Sequence, residues 1–193
     1  MVDYTKYELK SSEELSALLA GKDNLFLVAC NKCFKEFDTV QEPELDQVAQ
    51  LAASLGKTVT GTQRVDFLCN QVQTEKKLAH CIPQGTENVV VISCGLGVQT
   101  VADMAAVPTF TATNSLNYTG HHGMALTQKT CGACAQCYLN VTGGICPIVD
   151  CSKGLVNGQC GGAKNGKCEI DPKKDCAWEK INKRLAKQGR TQE

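Results

Sequence analysis

The chain is predicted to be an α/β protein, a doubly wound and mainly parallel Rossmann-like sheet with a small, cysteine-rich, loop-dominated segment at its C-terminal end. Three observations predict this. Up to about residue 117 short apolar runs alternate with helical stretches, the pattern of successive βαβ units. Beyond that point the periodicity fails and large apolar side chains thin out. Cysteines take their place, eight of the chain's 13 lying between Cys131 and Cys176.

Ser11-Ser-Glu-Glu14 has the form of a helix-starting cap, and Leu15, Leu18 and Leu19 supply an apolar stripe that ends at Gly21. The run from Asn24 to Ala29 is short and continuously apolar, as a buried strand is. It leads into Cys30-Asn-Lys-Cys33. Between Glu44 and Leu55 the residues Val48, Leu51, Ala52 and Leu55 recur at three- and four-residue steps, and Gly56 closes that helix. Lys57 to Thr60 reads as a second strand, and Thr74 to about Ile82 as a helix stopped by Pro83 and Gly85. Asn88 to Ser93 is the third strand, followed by Cys94-Gly-Leu-Gly97 and a helix over Val98 to Ala106. Pro108 to Ala112 is the fourth. Tyr118 to Thr130 is a connector holding His121 and His122, neighbours that rarely reach one ion together. Ala177 to Lys187, with Trp178, Ile181 and Leu185 on one face, reads as a closing helix that packs back on the body. The organisation expected is an α/β domain over 1–117 and a cysteine-rich one over 118–193.

Lys+Arg and Asp+Glu both number 20, so no basic excess argues for nucleic acid. The basic positions Lys180, Lys183, Arg184, Lys187 and Arg190 read as a solvated helix face. Met1 to Lys10 lacks the basic-then-apolar order of a signal peptide. The longest apolar runs are far too short to span a bilayer. A cytoplasmic protein without a membrane span is the expectation. In a reducing compartment an odd number of cysteines points to metal or redox sites rather than structural disulfides.

Cys131-Gly-Ala-Cys134-Ala-Gln-Cys137 places three thiols on one tight loop, and Cys146-Pro supplies a fourth, the ligand pattern of [4Fe-4S] clusters. With Cys151, Cys160, Cys168 and Cys176 the count reaches eight, the number two such clusters require. How the eight divide is left open by spacing. The segment has too few large side chains to offset the entropy of ordering its loops, and metal binding would supply that free energy. A zinc module is the rival reading, since four-thiolate zinc sites also use CxxC pairs. Eight residues separate Cys137 from Cys146, where bacterial ferredoxins have three.

In a doubly wound sheet functional groups gather outside the carboxyl ends of the strands. Cys30, Cys33, Cys69 and Cys94 all follow strands, so they are expected to converge on a third site, [4Fe-4S] or Zn²⁺. The rivals are a buried filler role for Cys69 and a dinucleotide phosphate loop at Gly95-Leu-Gly97, which lacks the third glycine. Cys81 is the expected spare thiol.

The stretch from Leu139 through Gly158-Gln-Cys-Gly-Gly162 to Pro172, continuing to Asp175-Cys-Ala-Trp178, closely resembles the cysteine-rich C-terminal domain family of methylenetetrahydrofolate reductases, in particular the small accessory subunit of the acetogen-type enzyme. Cys30-Asn-Lys-Cys33 and Ser93-Cys-Gly-Leu-Gly-Val-Gln99 extend the resemblance over nearly the whole chain. It implies a non-catalytic, electron-transferring subunit beside a flavin-containing (βα)₈-barrel methylenetetrahydrofolate reductase subunit, in the methyl branch of the reductive acetyl-CoA pathway. Ferredoxin or a larger redox complex would be the donor. The chain is shorter than the about 250 residues a barrel takes, so no flavin is expected in it. The competing reading is a zinc-stabilised structural or interaction subunit. A corrinoid- or nucleotide-binding α/β protein is a third.

Overall fold

In a computed structural model, which describes residues 5–31, 43–117 and 129–191, helices and strands alternate as predicted. Strands β2 (Leu25–Cys30), β3 (Val59–Val65), β4 (Asn88–Ile92) and β5 (Thr109–Thr111) form a sheet in the order β3-β2-β4-β5. Every pairing in it is parallel. Alternate side chains of β2 and β4 serve opposite faces. On one face Leu25, Leu27, Ala29, Val90 and Ile92 pack against helices α1 (Ser12–Leu19) and α2 (Glu44–Ser54). On the other, Phe26, Val28, Val89 and Val91 meet α3 (Gln71–Leu78) and α4 (Gly95–Met104). Both faces are thus covered, as a parallel sheet requires.

The cap expected at Ser11 forms: its hydroxyl accepts from the Glu14 amide at 3.1 Å, and the Glu14 carboxylate accepts from the Ser11 amide at 3.1 Å. Several boundaries move. The second predicted strand extends to Val65 rather than stopping at Thr60. The third helix begins at Gln71, capped by Asn70, and ends at Leu78 rather than Ile82. The fourth begins at Gly95 rather than Val98 and ends at Met104. Two strands were not expected: β1 (Lys6–Leu9) and β6 (Thr113–Asn117) pair antiparallel in a separate ribbon. They are polar and short, so no apolar run announces them. Only Ala112 separates β5 from β6, and its carbonyl accepts from the Lys10 amide at 2.9 Å.

Residues 129–191 pack closely on this body. A 3₁₀ turn, η1 (Tyr138–Asn140), fills the long interval between Cys137 and Cys146. Leu139 and Cys146 join the core beneath α4. Asn140 acts as a substitute strand: its Oδ1 accepts from the Thr111 amide at 2.7 Å and its Nδ2 donates to the Thr111 carbonyl at 3.1 Å. Gly144, at φ +83, lies so close to α4 that a Cβ there would stand 2.3 Å from that of Ala102. The interval that departs from ferredoxin spacing is therefore the anchor of the cysteine-rich segment.

After the short α5 (Pro147–Asp150), the chain closes with α6 (Ala177–Lys187). The apolar face of α6 was expected to cover the body. Instead Trp178, Ile181 and Leu185 pack on Ile145 and flank Cys151 and Cys176, within the cysteine-rich segment. Contact with the body runs through Arg184, which pairs with Asp103 of α4 at 2.8 Å. Among the described residues no helix is long and apolar enough to cross a membrane.

Candidate metal centre

Because the four strands run parallel, their carboxyl ends share one edge, and three of the predicted strand-end cysteines meet there. Cys30 ends β2, Cys69 follows β3 in the loop before α3, and Cys94 is the N-cap of α4. All three are buried. Burial, then the nearby Cys94 and Cys30, push the Cys69 thiol up to about 12. Cys33 lies outside the described residues, as do His121 and His122. The loops are tied together by Asn31, whose Nδ2 donates to Asp66 at 2.8 Å. Tyr7 of β1 closes the group from above: its hydroxyl donates to the Cys30 carbonyl at 3.4 Å, and burial pushes its ionisation well above the usual phenol range.

Gly95 and Gly97 sit in the first turn of α4, and their role is close approach. A Cβ on Gly95 would stand 2.8 Å from Cys131 Sγ, and one on Gly97 would stand 2.3 Å from Ser93 Oγ. Cys131 accordingly packs against Cys69, Cys94 and Leu96. Gln99 holds the approach in place, donating through Nε2 to the carbonyls of Gly95 (3.0 Å) and Thr130 (2.8 Å).

Cys131, Cys134, Cys137 and Cys146 line one cavity beside the start of α4. Ala133 and Ala135 take left-handed φ values of 45° and 56°, which wind the CxxCxxC loop tightly. Two contacts fix it to the ribbon. The Cys137 amide donates to Asn114 Oδ1 at 3.1 Å, and the Ala135 amide donates to the Ser115 carbonyl at 2.9 Å. Burial pushes the Cys137 thiol up to about 12 and raises that of Cys146. Such thiols stay protonated at neutral pH until a metal displaces the protons.

Cys151, Cys160, Cys168 and Cys176 line a second cavity under α6. Here the loop is folded by backbone bonds, Cys168 N–H to the Lys174 carbonyl at 2.9 Å and Cys176 N–H to the Gly166 carbonyl at 2.8 Å. The surroundings are polar. The Ser152 hydroxyl, then backbone amides of Asp171 and Ile170, lower the pKa of Cys168 below the usual thiol range. The single tryptophan, Trp178, walls this cavity and donates from its indole N–H to the Leu155 carbonyl at 2.9 Å.

The fold thus sorts the eight C-terminal cysteines, which spacing left undivided, into two sets of four. Cys81 joins neither: it lies beyond the end of α3, half-buried against the core. Residues 110–193 match the family model described as methylene-tetrahydrofolate reductase C terminal. That span contains both four-cysteine cavities and α6. No curated protein and no solved structure matches the chain.

The two donor sets fit iron-sulfur clusters. Among the described residues each is four thiols without an imidazole, a soft set suited to iron-sulfur clusters or zinc and unsuited to magnesium or calcium. Amides point at sulfur in both, from Ala133 to Cys131 at 3.5 Å and from Gly162 to Cys160 at 3.4 Å. Among the described residues no three His, Cys, Asp or Glu side chains close tightly on a single ion; the thiols surround a common space instead. Sequence reasoning missed Tyr7, Gln99 and Asn114. Only Gln99 left a trace, as a long polar residue in the small and apolar first half of α4.

Proposed function

We propose that this chain is the small, MetV-type accessory subunit of a methylenetetrahydrofolate reductase, an electron relay and not itself the catalyst. One [4Fe-4S] cluster would be held by Cys131, Cys134, Cys137 and Cys146, and a second by Cys151, Cys160, Cys168 and Cys176. A third centre, [4Fe-4S] or Zn²⁺, would draw on Cys30, Cys69 and Cys94, with Cys33 as the expected fourth ligand. Bound clusters exchange single electrons, which a flavin can collect in pairs for hydride chemistry. The partner is a flavin-containing (βα)₈-barrel subunit of the MetF type, and the donor is ferredoxin or a larger redox complex.

The observation that carries this reading is the division of eight cysteines into two cavities, inside the span that matches the reductase C-terminal family. The protein's own contribution is placement. Asn140 fastens the first set to the sheet, Gln99 to α4 and Asn114 to the ribbon, and α6 covers the second. Anaerobically purified protein is expected to contain iron and acid-labile sulfide in at least two four-iron units, with an EPR signal after reduction. Cys134→Ser and Cys168→Ser should each remove one unit and spare the other. Mixing with the barrel subunit should speed flavin reduction by a low-potential donor. Zinc without iron would overturn the relay in favour of a structural subunit, as would unchanged flavin reduction.

A further inference from the structure

The two cavities differ in charge. Among the described residues no ionised side chain lines the Cys131 set, whose neighbours include Gln99, Ser115, Leu139 and Ile148. Lys153, Asp150, Glu169 and Asp175 line the Cys160 set. All three of these carboxylates are engaged by lysines, Asp150 by Lys180 at 3.4 Å, Asp175 by Lys167 at 2.5 Å and Glu169 by Lys153. Glu169 alone faces a sulfur. Its Oε1 accepts from the Cys160 thiol at 3.3 Å and also takes the Lys153 ammonium. A Cβ on Gly162 would overlap the Glu169 carboxylate, so this second glycine after Cys160 is what lets the carboxylate lie there.

A metal-bound Cys160 thiolate has no proton to donate. Glu169 would then be a second anion within hydrogen-bonding distance of it, and Lys153 is the cation placed between them. Stability does not account for this arrangement, because an ion pair as exposed as this one contributes little. A cluster's potential, in contrast, responds directly to nearby charge and to hydrogen bonds at its sulfurs. Reduction adds one electron with no bond made or broken, so a nearby cation favours the reduced form and a nearby anion opposes it.

We propose that Lys153 and Glu169 are positioning residues that set the reduction potential of the centre on Cys151, Cys160, Cys168 and Cys176, separating it from that of the Cys131 set, whose nearest cation, Lys10, is held one residue away on Asn114. This rests on the iron-sulfur reading above. The test is an EPR-monitored redox titration of the full, anaerobically loaded chain, with iron counted on the same samples. Cys168→Ser identifies which signal belongs to the second set. Lys153→Met moves that signal to lower potential, Glu169→Gln moves it to higher potential, and Lys153→Arg restores the native value. The other signal stays in place as an internal reference. Two clusters present with neither signal moved, or with both moved together, overturns the proposal and leaves the relay standing. Absence of iron overturns both, and the iron count tells the two failures apart.

Discussion

Cys69 shows how burial alone conditions a thiol. Its pKa rises from an ordinary 9.0 to about 12 because the site is dry and Cys94 and Cys30 are near, and Cys137 is raised in the same way. In the metal-free chain the sign follows from proton counting. Between the unfolded and folded values the unfolded chain holds fewer protons, so stability falls as pH rises, by at most about 1.4 kcal/mol per pH unit for each thiol. Below the unfolded value the term vanishes. Urea unfolding of metal-free protein between pH 8 and 11 should show this decline, and Cys69→Ser or Cys137→Ser should lessen it. A flat profile would show these thiols to be solvated. Metal loading reverses the requirement, since thiolates are then needed and acid releases the metal. The sequence marked Cys30, Cys69 and Cys94 through their positions after strands. It carried no sign of Tyr7, whose neighbours become visible only once β1 pairs with β6.

At the level of elements, β5 is the sheet's outer strand, and Asn140 completes it. Thr111 is fully buried, so Asn140→Ala would leave a buried amide and carbonyl without partners. The expected loss is about 2–3 kcal/mol, read by equilibrium unfolding of metal-loaded protein. A change within a few tenths would mean that water replaces the side chain. The elements themselves were unevenly legible. β2 and β4 stood out because strands covered on both faces are apolar throughout. β1 and β6, in a polar ribbon, offered no such run. The start of α4 was hidden because glycine is a poor helix former, yet Gly95 and Gly97 are there for the side chains that crowd them.

For the molecule as a whole, the apolar cores are unequal. The sheet is packed on both faces, whereas the cysteine-rich segment has its own cluster of only Ile145, Trp178, Ile181 and Leu185. Chelation is therefore expected to release residues 129–176 while the sheet persists. Trp178, 2% exposed, is the chain's one tryptophan, so its emission should shift to the red. Amide protection at residues 25–30 and 88–92 should survive. Simultaneous loss of both signals would mean that one cooperative unit spans the chain. The scarcity of large apolar side chains in this segment was legible in composition. The sorting of its cysteines was not, because Cys131 and Cys146, or Cys151 and Cys176, become neighbours only through the docking of η1 and α6.

The single turn α5 is the whole covalent span between Cys146 of one set and Cys151 of the next. A helical residue advances the chain by about 1.5 Å and turns it by about 100°. An insertion or deletion within Pro147–Asp150 would thus swing one set of thiols around the other while barely changing their separation. The loop from Cys151 to Cys160, with no helical turn in it, faces no such angular constraint along its length. Of all the spacings in this segment, the interval from Cys146 to Cys151 is the one that works as a key, with orientation cut into its length.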